Sequence, residues 1–203
     1  FLDKLREITK RAGVPLIFDE VITGFRVGLT GVQGWYGVQP DISVFGKIIG
    51  GGTPFGVVMG NVDILNTSGV YYGGTFSGNS FGCGMGNVVL KYLQTHTEIY
   101  TELYNLTESI VNEIESYTQD FPISIMKCHS FFRIIFSEHE VKERRDREDF
   151  EDYSLFLEFK ERLEGKGVLV GNNGLFFVCP SHAKYKDRYV GQIVESIKEI
   201  FSE

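Results

Sequence analysis

Two charged side chains follow apolar segments of the chain, close to the point where each predicted strand ends. Asp19 comes directly after residues 14–18, and Lys47 follows residues 42–45 after a single glycine. Because ligands collect at the carboxyl ends of strands in open α/β sheets, we expect both side chains to serve one ligand. Pyridoxal phosphate needs both groups: a carboxylate holds its ring nitrogen protonated, and a lysine amine forms a Schiff base with its aldehyde.

Each of these residues also has an ordinary structural interpretation. Asp19 could cap a turn after its strand, which is the commoner role for an acid at such a position, and Lys47 could be a surface lysine. The apolar flanks of Lys47 and the three glycines at 50–52 favour a ligand site, because glycines let backbone approach a ligand closely. Strand periodicity places Val21 on the same side as Asp19, where it could pack under a cofactor ring.

A third candidate segment combines small residues and hydroxyls at residues 73–79, just before a predicted helix. Glycine-rich turns and helix N-termini bind phosphate through free backbone N–H groups. Helix capping by Ser77 or Asn79 is the simpler interpretation of the same residues. Both interpretations stay open at this stage.

The composition excludes several other classes of function. The chain has 203 residues, a net charge of −7 and 42% hydrophobic residues, so it can build a core but carries no basic surface for nucleic acid or anionic membranes. Its three cysteines and four histidines have no disulfide or metal-ligand spacing, which predicts a reducing, cytoplasmic setting and no metal. No apolar run is long enough to span a membrane.

The pattern of elements predicts an α/β part followed by an α+β part, divided as residues 1–97 and 98–203. A helix with Gly13 at its C-cap precedes the first strand, and residues 20–41 read as a loop. A long amphipathic helix is predicted over 98–118. Later strands are expected at 168–170 and 175–178, paired through a turn at 171–174.

Three motifs together resemble one family. FDEVITGFRVG at 18–28, YGVQPDISVFGKIIGGG at 36–52 and GGTFSGN at 73–79 are similar to class III (subgroup II) pyridoxal-phosphate-dependent aminotransferases. The isoleucine at position 22 and the GKIIGGG segment look like glutamate-1-semialdehyde 2,1-aminomutases. They also look like the aminotransferase modules of polyketide and lipopeptide synthases.

The resemblance implies fold type I of the pyridoxal-phosphate-dependent transferases, with part of the large-domain sheet in the first half and the small domain in the second. It implies an aminotransferase or 2,1-aminomutase that acts on a small amino or oxo substrate. Lys47 would hold the cofactor and move protons, Asp19 would pair with the ring nitrogen, and Val21 would pack on the ring. Thr75 would reach the cofactor phosphate of a neighbouring subunit, which implies a homodimer with shared active sites.

Some family features are absent from the chain. The resemblance places a Ser-Gly-Thr phosphate loop and a ring-stacking aromatic residue in an N-terminal half, so we expect this chain to be the C-terminal portion of a longer protein. Arg133 lies in an apolar run and has no counterpart in the family pattern. A noncatalytic module that keeps the fold and binds a partner is the competing hypothesis.

Overall fold

A computed structural model describes residues 1–66 and 73–202, and the chain divides into two compact units, Phe1–Tyr100 and Thr101–Glu203. Each unit is built on its own three-stranded sheet. The assignment of these units to the large and small domains of a complete enzyme stays a prediction.

The first unit contains a mixed sheet in the order β1-β2-β3. Strand β1 is parallel to β2, and β2 is antiparallel to β3. The helices and strands are α1 (Leu2–Ala12), β1 (Ile17–Glu20), α2 (Gly31–Tyr36), β2 (Ile42–Phe45), a 3-10 helix (Lys47–Gly50), β3 (Val57–Gly60), α3 (Val62–Leu65) and α4 (Ser80–Thr95).

Strand β1 begins at Ile17, three residues later than the sequence predicted, so Asp19 lies inside the strand instead of just past it. Helix α1 ends with Gly13 in the left-handed conformation, and the N–H of Val14 donates to Thr9 O at 3.0 Å. This C-cap geometry uses the backbone of Val14, and Pro15 has no N–H for a ladder. Because of these two constraints, β1 begins only after Pro15.

Asp41, just before β2, ties helix α1 to the sheet. Its Oδ2 accepts from the N–H of Leu16 and from Arg6 Nη1, each at 2.7 Å. These hydrogen bonds hold the pKa of the Asp41 carboxyl below its usual value, the Leu16 bond contributing most and the Arg6 guanidinium next. The carboxylate therefore stabilises the start of both parallel strands.

Helix α4 packs closely against the 3-10 helix that begins at Lys47. Gly82 and Gly86 make this possible, because a Cβ on either would lie within 2.8 Å of the Phe55 ring. Gly84, on the same helix, faces open space. The helix starts at Ser80, directly after residues 73–79, and Asn79 caps it.

The second unit packs helices on an antiparallel sheet in the order β4-β5-β6. Phe132, Ile134 and Phe136 of the central strand are fully buried, and the Phe136 and Phe159 rings lie 5.3 Å apart. The elements are α5 (Glu98–Thr118), whose first residues belong to the first unit, β4 (Ile123–Cys128), β5 (Phe131–Phe136), α6 (Arg144–Phe150), α7 (Tyr153–Gly165), β6 (Leu175–Phe177), a 3-10 helix (Pro180–Tyr185) and α8 (Lys186–Ile200).

The predicted pairing of 168–170 with 175–178 is wrong. The turn itself is present, since the Gly174 N–H donates to Gly171 O at 2.9 Å. Residues 168–170 form no strand, however, and β6 pairs with β5. The N–H of Val168 donates to Leu163 O at the end of α7, which ties this segment to the helix instead of the sheet.

Candidate active site

The parallel pairing of β1 and β2 brings Asp19 and Lys47 to one edge of the first sheet. Asp19 is in register with Val44 of β2, and Lys47 follows Val44 by three residues, in the 3-10 helix that continues β2. Both side chains are exposed. The sheet therefore presents a carboxylate and an amine at its carboxyl edge, as the sequence predicted.

Val21 joins the two segments. A Cβ placed on Gly46 would lie 3.2 Å from Val21 Cγ1, so the valine side chain rests on the backbone just before Lys47. The Val21 N–H donates to Asp19 Oδ1 at 3.0 Å. Asp19 thus caps the turn that carries Val21, and the structural role considered for it from the sequence is present.

Lys47 has an unusual backbone conformation. Its φ is 52°, in the left-handed region that disfavours non-glycine residues, and Phe25, in the loop after β1, has φ 59°. Residues held in such conformations cluster at functional sites. The Lys47 amine makes no hydrogen bond or ion pair with residues 1–66 or 73–202, so it is available to a ligand.

Glu20 is the best-buried charged group near the site, with 1% exposure. Its carboxylate accepts from Thr23 Oγ1 at 2.7 Å and from the N–H groups of Val32 and Gln33 at 2.9 and 2.8 Å. A buried carboxylate is stable only when it is hydrogen-bonded in this way. It fixes the loop after Asp19 to the start of α2.

This arrangement corrects the prediction that residues 20–41 form only a loop, because α2 lies within them. The acceptor at the start of α2 comes from Glu20, more than ten residues earlier in the chain. A capping signal is normally sought within three residues of a helix start. A cap supplied by a distant strand leaves no such local pattern.

Gly24 and Phe25 pack the loop onto β2. A Cβ on Gly24 would lie 2.5 Å from the Phe45 ring, so only glycine fits there. The rings of Phe25 and Phe45 lie 5.3 Å apart, and both residues are buried. This packing holds the segment between Asp19 and α2 rigidly beside β2.

Thr75 lies in an exposed turn. No hydrogen bond joins it to Asp19, Val21 or Lys47 in the part of the chain that the structure describes. Asn79 takes the capping role, since its Oδ1 accepts from the Gly82 N–H at 2.7 Å. The predicted contact of Thr75 with a cofactor phosphate requires a second subunit and stays a prediction.

The donor set suits pyridoxal phosphate and not a metal ion. The exposed Lys47 amine, which has no partner among the residues that the structure describes, and the exposed Asp19 carboxylate lie at one sheet edge, with Val21 as an apolar surface between their segments. Within residues 1–66 and 73–202, no cluster of three or more His, Cys, Asp or Glu could hold a metal. No described helix combines the length and apolar character that crossing a membrane requires.

Comparison with known proteins agrees with this chemistry. The sequence profile of the family described as "Aminotransferase class-III" matches residues 1–201. The glutamate-1-semialdehyde 2,1-aminomutase of Thermosipho africanus is 37% identical over 190 residues, which are 91% of this chain and 45% of that protein. The chain therefore belongs to the class-III aminotransferases.

Solved structures show the same fold. An omega-transaminase from Sphaerobacter thermophilus matches with a TM-score of 0.84 and 25% identity, over 98% of this chain and 47% of that one. A glutamate-1-semialdehyde-aminomutase variant from Pseudomonas aeruginosa PAO1, in complex with PMP, matches with a TM-score of 0.85 and 20% identity, over 98% and 48%. The predicted fold class is confirmed, and the chain spans about half the length of the relatives it matches.

Proposed function

We propose that this chain is the part of a pyridoxal-phosphate-dependent class-III enzyme that supplies the cofactor-binding lysine and the acid for the cofactor ring. The observation that carries the proposal is the placement of Asp19 and Lys47 at one sheet edge, linked by the contact of Val21 with Gly46. The reaction moves an amino group to, or along, a small oxo compound.

Pyridoxal phosphate, when bound, supplies an electron sink for the electrons released at the substrate carbon. Lys47 Nζ would be the amine that holds the cofactor, and as a free amine it would be placed to carry a proton between the reacting carbons of the substrate. The Asp19 carboxylate would hold a proton on the ring nitrogen by its negative charge. Val21 presents a branched apolar surface to the ring, and Glu20 keeps the loop behind it in place.

The finer assignment is a glutamate-1-semialdehyde 2,1-aminomutase. It is supported by the similarity of the chain to glutamate-1-semialdehyde 2,1-aminomutases with 32–38% identity, among them that of Thermosipho africanus. An aminomutase returns the amino group to the same substrate, whereas a transaminase consumes a separate amino donor. A module of a polyketide or lipopeptide synthase would also need a separate donor.

We also propose that the active enzyme contains additional polypeptide besides these 203 residues. Within residues 1–66 and 73–202, each outer strand of the first sheet has one unpaired edge, and Ile17, Val58 and Met59 are more than half exposed. An apolar hollow of about 680 Å³ beside this sheet is lined by Phe25, Phe45 and other core residues. Exposed apolar edges of this kind are normally covered.

An N-terminal half like that of the relatives would cover these surfaces and would supply the main phosphate-binding loop. A second copy of the protein would then place its Thr75 at the phosphate, giving a homodimer with shared sites. Expressed without the additional half, the 203-residue chain should be poorly soluble and should not retain cofactor.

The test uses protein expressed from the complete coding region. We expect a visible absorbance band on addition of pyridoxal phosphate, and conversion of glutamate-1-semialdehyde without any added amino donor. Turnover only with a separate donor would replace the aminomutase assignment by a transaminase. A protein that neither binds the cofactor nor turns over any amino or oxo substrate would be the noncatalytic module.

A further inference from the structure

Arg133 lies on the side of the second sheet that faces away from α7. Along β5, Phe132, Ile134 and Phe136 point to the helices, so Arg133 points to the opposite face. Its partners in register are Met126 on β4 and Leu175 on β6. The stem of Arg133 therefore lies between apolar residues of the two neighbouring strands.

The Arg133 side chain is half-buried and unpaired. It makes no hydrogen bond or ion pair with any residue in the ranges 1–66 and 73–202, and its Nε is inaccessible to solvent. Burial lowers the pKa of its guanidinium, the nearby Arg147 lowers it further, and Glu151 opposes this shift. A partly desolvated cation without an acceptor is costly, so such groups are normally paired.

The neighbouring charged groups leave Arg133 unsatisfied because they pair with each other. Arg147 Nε lies 3.0 Å from Glu151 Oε2, and the Glu151 side chain is only 8% exposed. The pair is electrically neutral, so Arg133 contributes one uncompensated positive charge. A ligand with one negative charge would compensate Arg133. A ligand with two would be repelled by the nearby Glu151 carboxylate.

The surroundings of Arg133 define the rest of the ligand. Phe131 and Phe177 lie on the same face, with ring centroids 5.9 Å apart, and Met126 and Phe177 are 38% and 37% exposed. Gly174 lies at the start of β6 beside the arginine stem, since a Cβ there would lie 3.6 Å from Arg133 Cγ. Apolar side chains around one guanidinium suit a carboxylate that carries a hydrocarbon body.

We propose that Arg133 is the anchor of a binding site for a small organic monocarboxylate with an apolar chain. The guanidinium takes the carboxylate through two parallel N–H···O bonds, and the hydrocarbon part lies on Phe131, Leu175 and Phe177. This site does not depend on the proposed reaction at Lys47, because all of its residues belong to the second unit.

The test measures hexanoate binding by isothermal titration calorimetry to protein from the complete coding region. Three further compounds are measured as controls. Hexanamide lacks the negative charge, acetate lacks the hydrocarbon chain, and inorganic phosphate carries up to two negative charges. Arg133→Gln removes the cation, and Arg144→Gln is the control, because Arg144 is exposed and already pairs with Glu148 at 2.7 Å. Both variants change the net charge equally.

We expect hexanoate to bind at least about tenfold more tightly than the three other probes, and Arg133→Gln alone to abolish that preference. Equal losses in the two variants would mean that net charge, and not this site, attracts the anion. Binding of hexanoate that survives Arg133→Gln would likewise overturn the proposal.

Thermal unfolding of Arg133→Met gives a second, independent measurement. If Arg133 binds a ligand and does not stabilise the fold, Arg133→Met removes an uncompensated cation. The melting temperature without ligand should then stay unchanged or rise by about 2 °C. A clear fall in melting temperature would show that the arginine stabilises the fold instead, and would contradict the proposal.

Discussion

Val21 packs against Gly46, with 3.2 Å between Val21 Cγ1 and the position that a Cβ on Gly46 would occupy. Because the Val21 N–H also donates to Asp19 Oδ1, the acid, the valine and the lysine turn are physically connected. The two candidate catalytic groups therefore depend on one small set of contacts between the ends of β1 and β2.

The charge of Asp19 can be separated from its capping role. Asp19→Asn keeps an oxygen that accepts from the Val21 N–H but removes the negative charge that would hold a proton on the cofactor ring. We expect the melting temperature and cofactor binding to remain close to those of the original protein. Turnover should fall by about 100-fold or more, as expected when an electrostatic stabiliser is lost.

Asp19→Ala is the matched comparison, because it removes both the charge and the cap. It should lose turnover and also about 1 kcal/mol of stability. If Asp19→Asn keeps full turnover while Asp19→Ala is merely less stable, then Asp19 is a turn cap and does not act on the cofactor.

Alanine substitutions at Gly84 and Gly86 of α4 should change the free energy of unfolding in opposite directions. Gly84 faces open space, so Gly84→Ala should stabilise the protein by about 0.5–1 kcal/mol through helix propensity. A Cβ on Gly86 would lie 2.7 Å from the Phe55 ring, so Gly86→Ala should destabilise by about 1 kcal/mol or more. Chemical denaturation measures both changes.

The double variant Gly86→Ala with Phe55→Leu tests the cause. It should recover part of the stability lost in Gly86→Ala, because the smaller side chain leaves room for the new methyl group. Equal stability of the two single alanine variants would show that α4 does not approach Phe55 as closely as described.

Asp41 should make the stability of the protein depend on pH. Its folded-state pKa is lowered by the bonds from Leu16 and Arg6, so its contribution is present above the unfolded pKa of about 4. The contribution is lost as the pH falls through the folded pKa. At pH 7, Asp41→Asn should cost about 1–2 kcal/mol, measured by urea unfolding.

The two unfolding free energies should converge at low pH, because protonated Asp41 and asparagine are both neutral. A constant difference between the original protein and Asp41→Asn down to about pH 2 would contradict this interpretation. Arg11→Gln is the control variant, because the contact of Arg11 with Glu7 is exposed and 3.9 Å long, and its loss should change the unfolding free energy little at any pH.

The sequence predicted the local features of this molecule better than the distant ones. Helical spacing with Gly13 as cap predicted α1, and the amphipathic pattern predicted Glu98–Thr118 with both ends correct. Apolar segments ending in Asp19 and Lys47 predicted a shared sheet edge, because parallel strands align their carboxyl ends. The functional roles of these residues stay predictions.

Features that depend on distant partners were not predicted. Glu20 accepts hydrogen bonds from Val32 and Gln33 at the start of a helix, where only a loop was predicted. The partner of β6 was predicted wrongly, since a good turn sequence does not reveal that Val168 is bonded to α7. Arg133 has no ion-pair partner within residues 1–66 and 73–202 because Glu151 pairs with Arg147, and the sequence around Arg133 does not show this arrangement.

The most direct test of the central claim is the site of covalent attachment of the cofactor. Protein from the complete coding region is incubated with pyridoxal phosphate, reduced with borohydride and digested, and the modified lysine is located by peptide mass spectrometry. We predict modification of Lys47, with none of it in Lys47→Ala, while the exposed Lys91 serves as the internal control for nonspecific labelling. Equal labelling of Lys91 and Lys47, or attachment that persists at another lysine in Lys47→Ala with full turnover, would contradict the account.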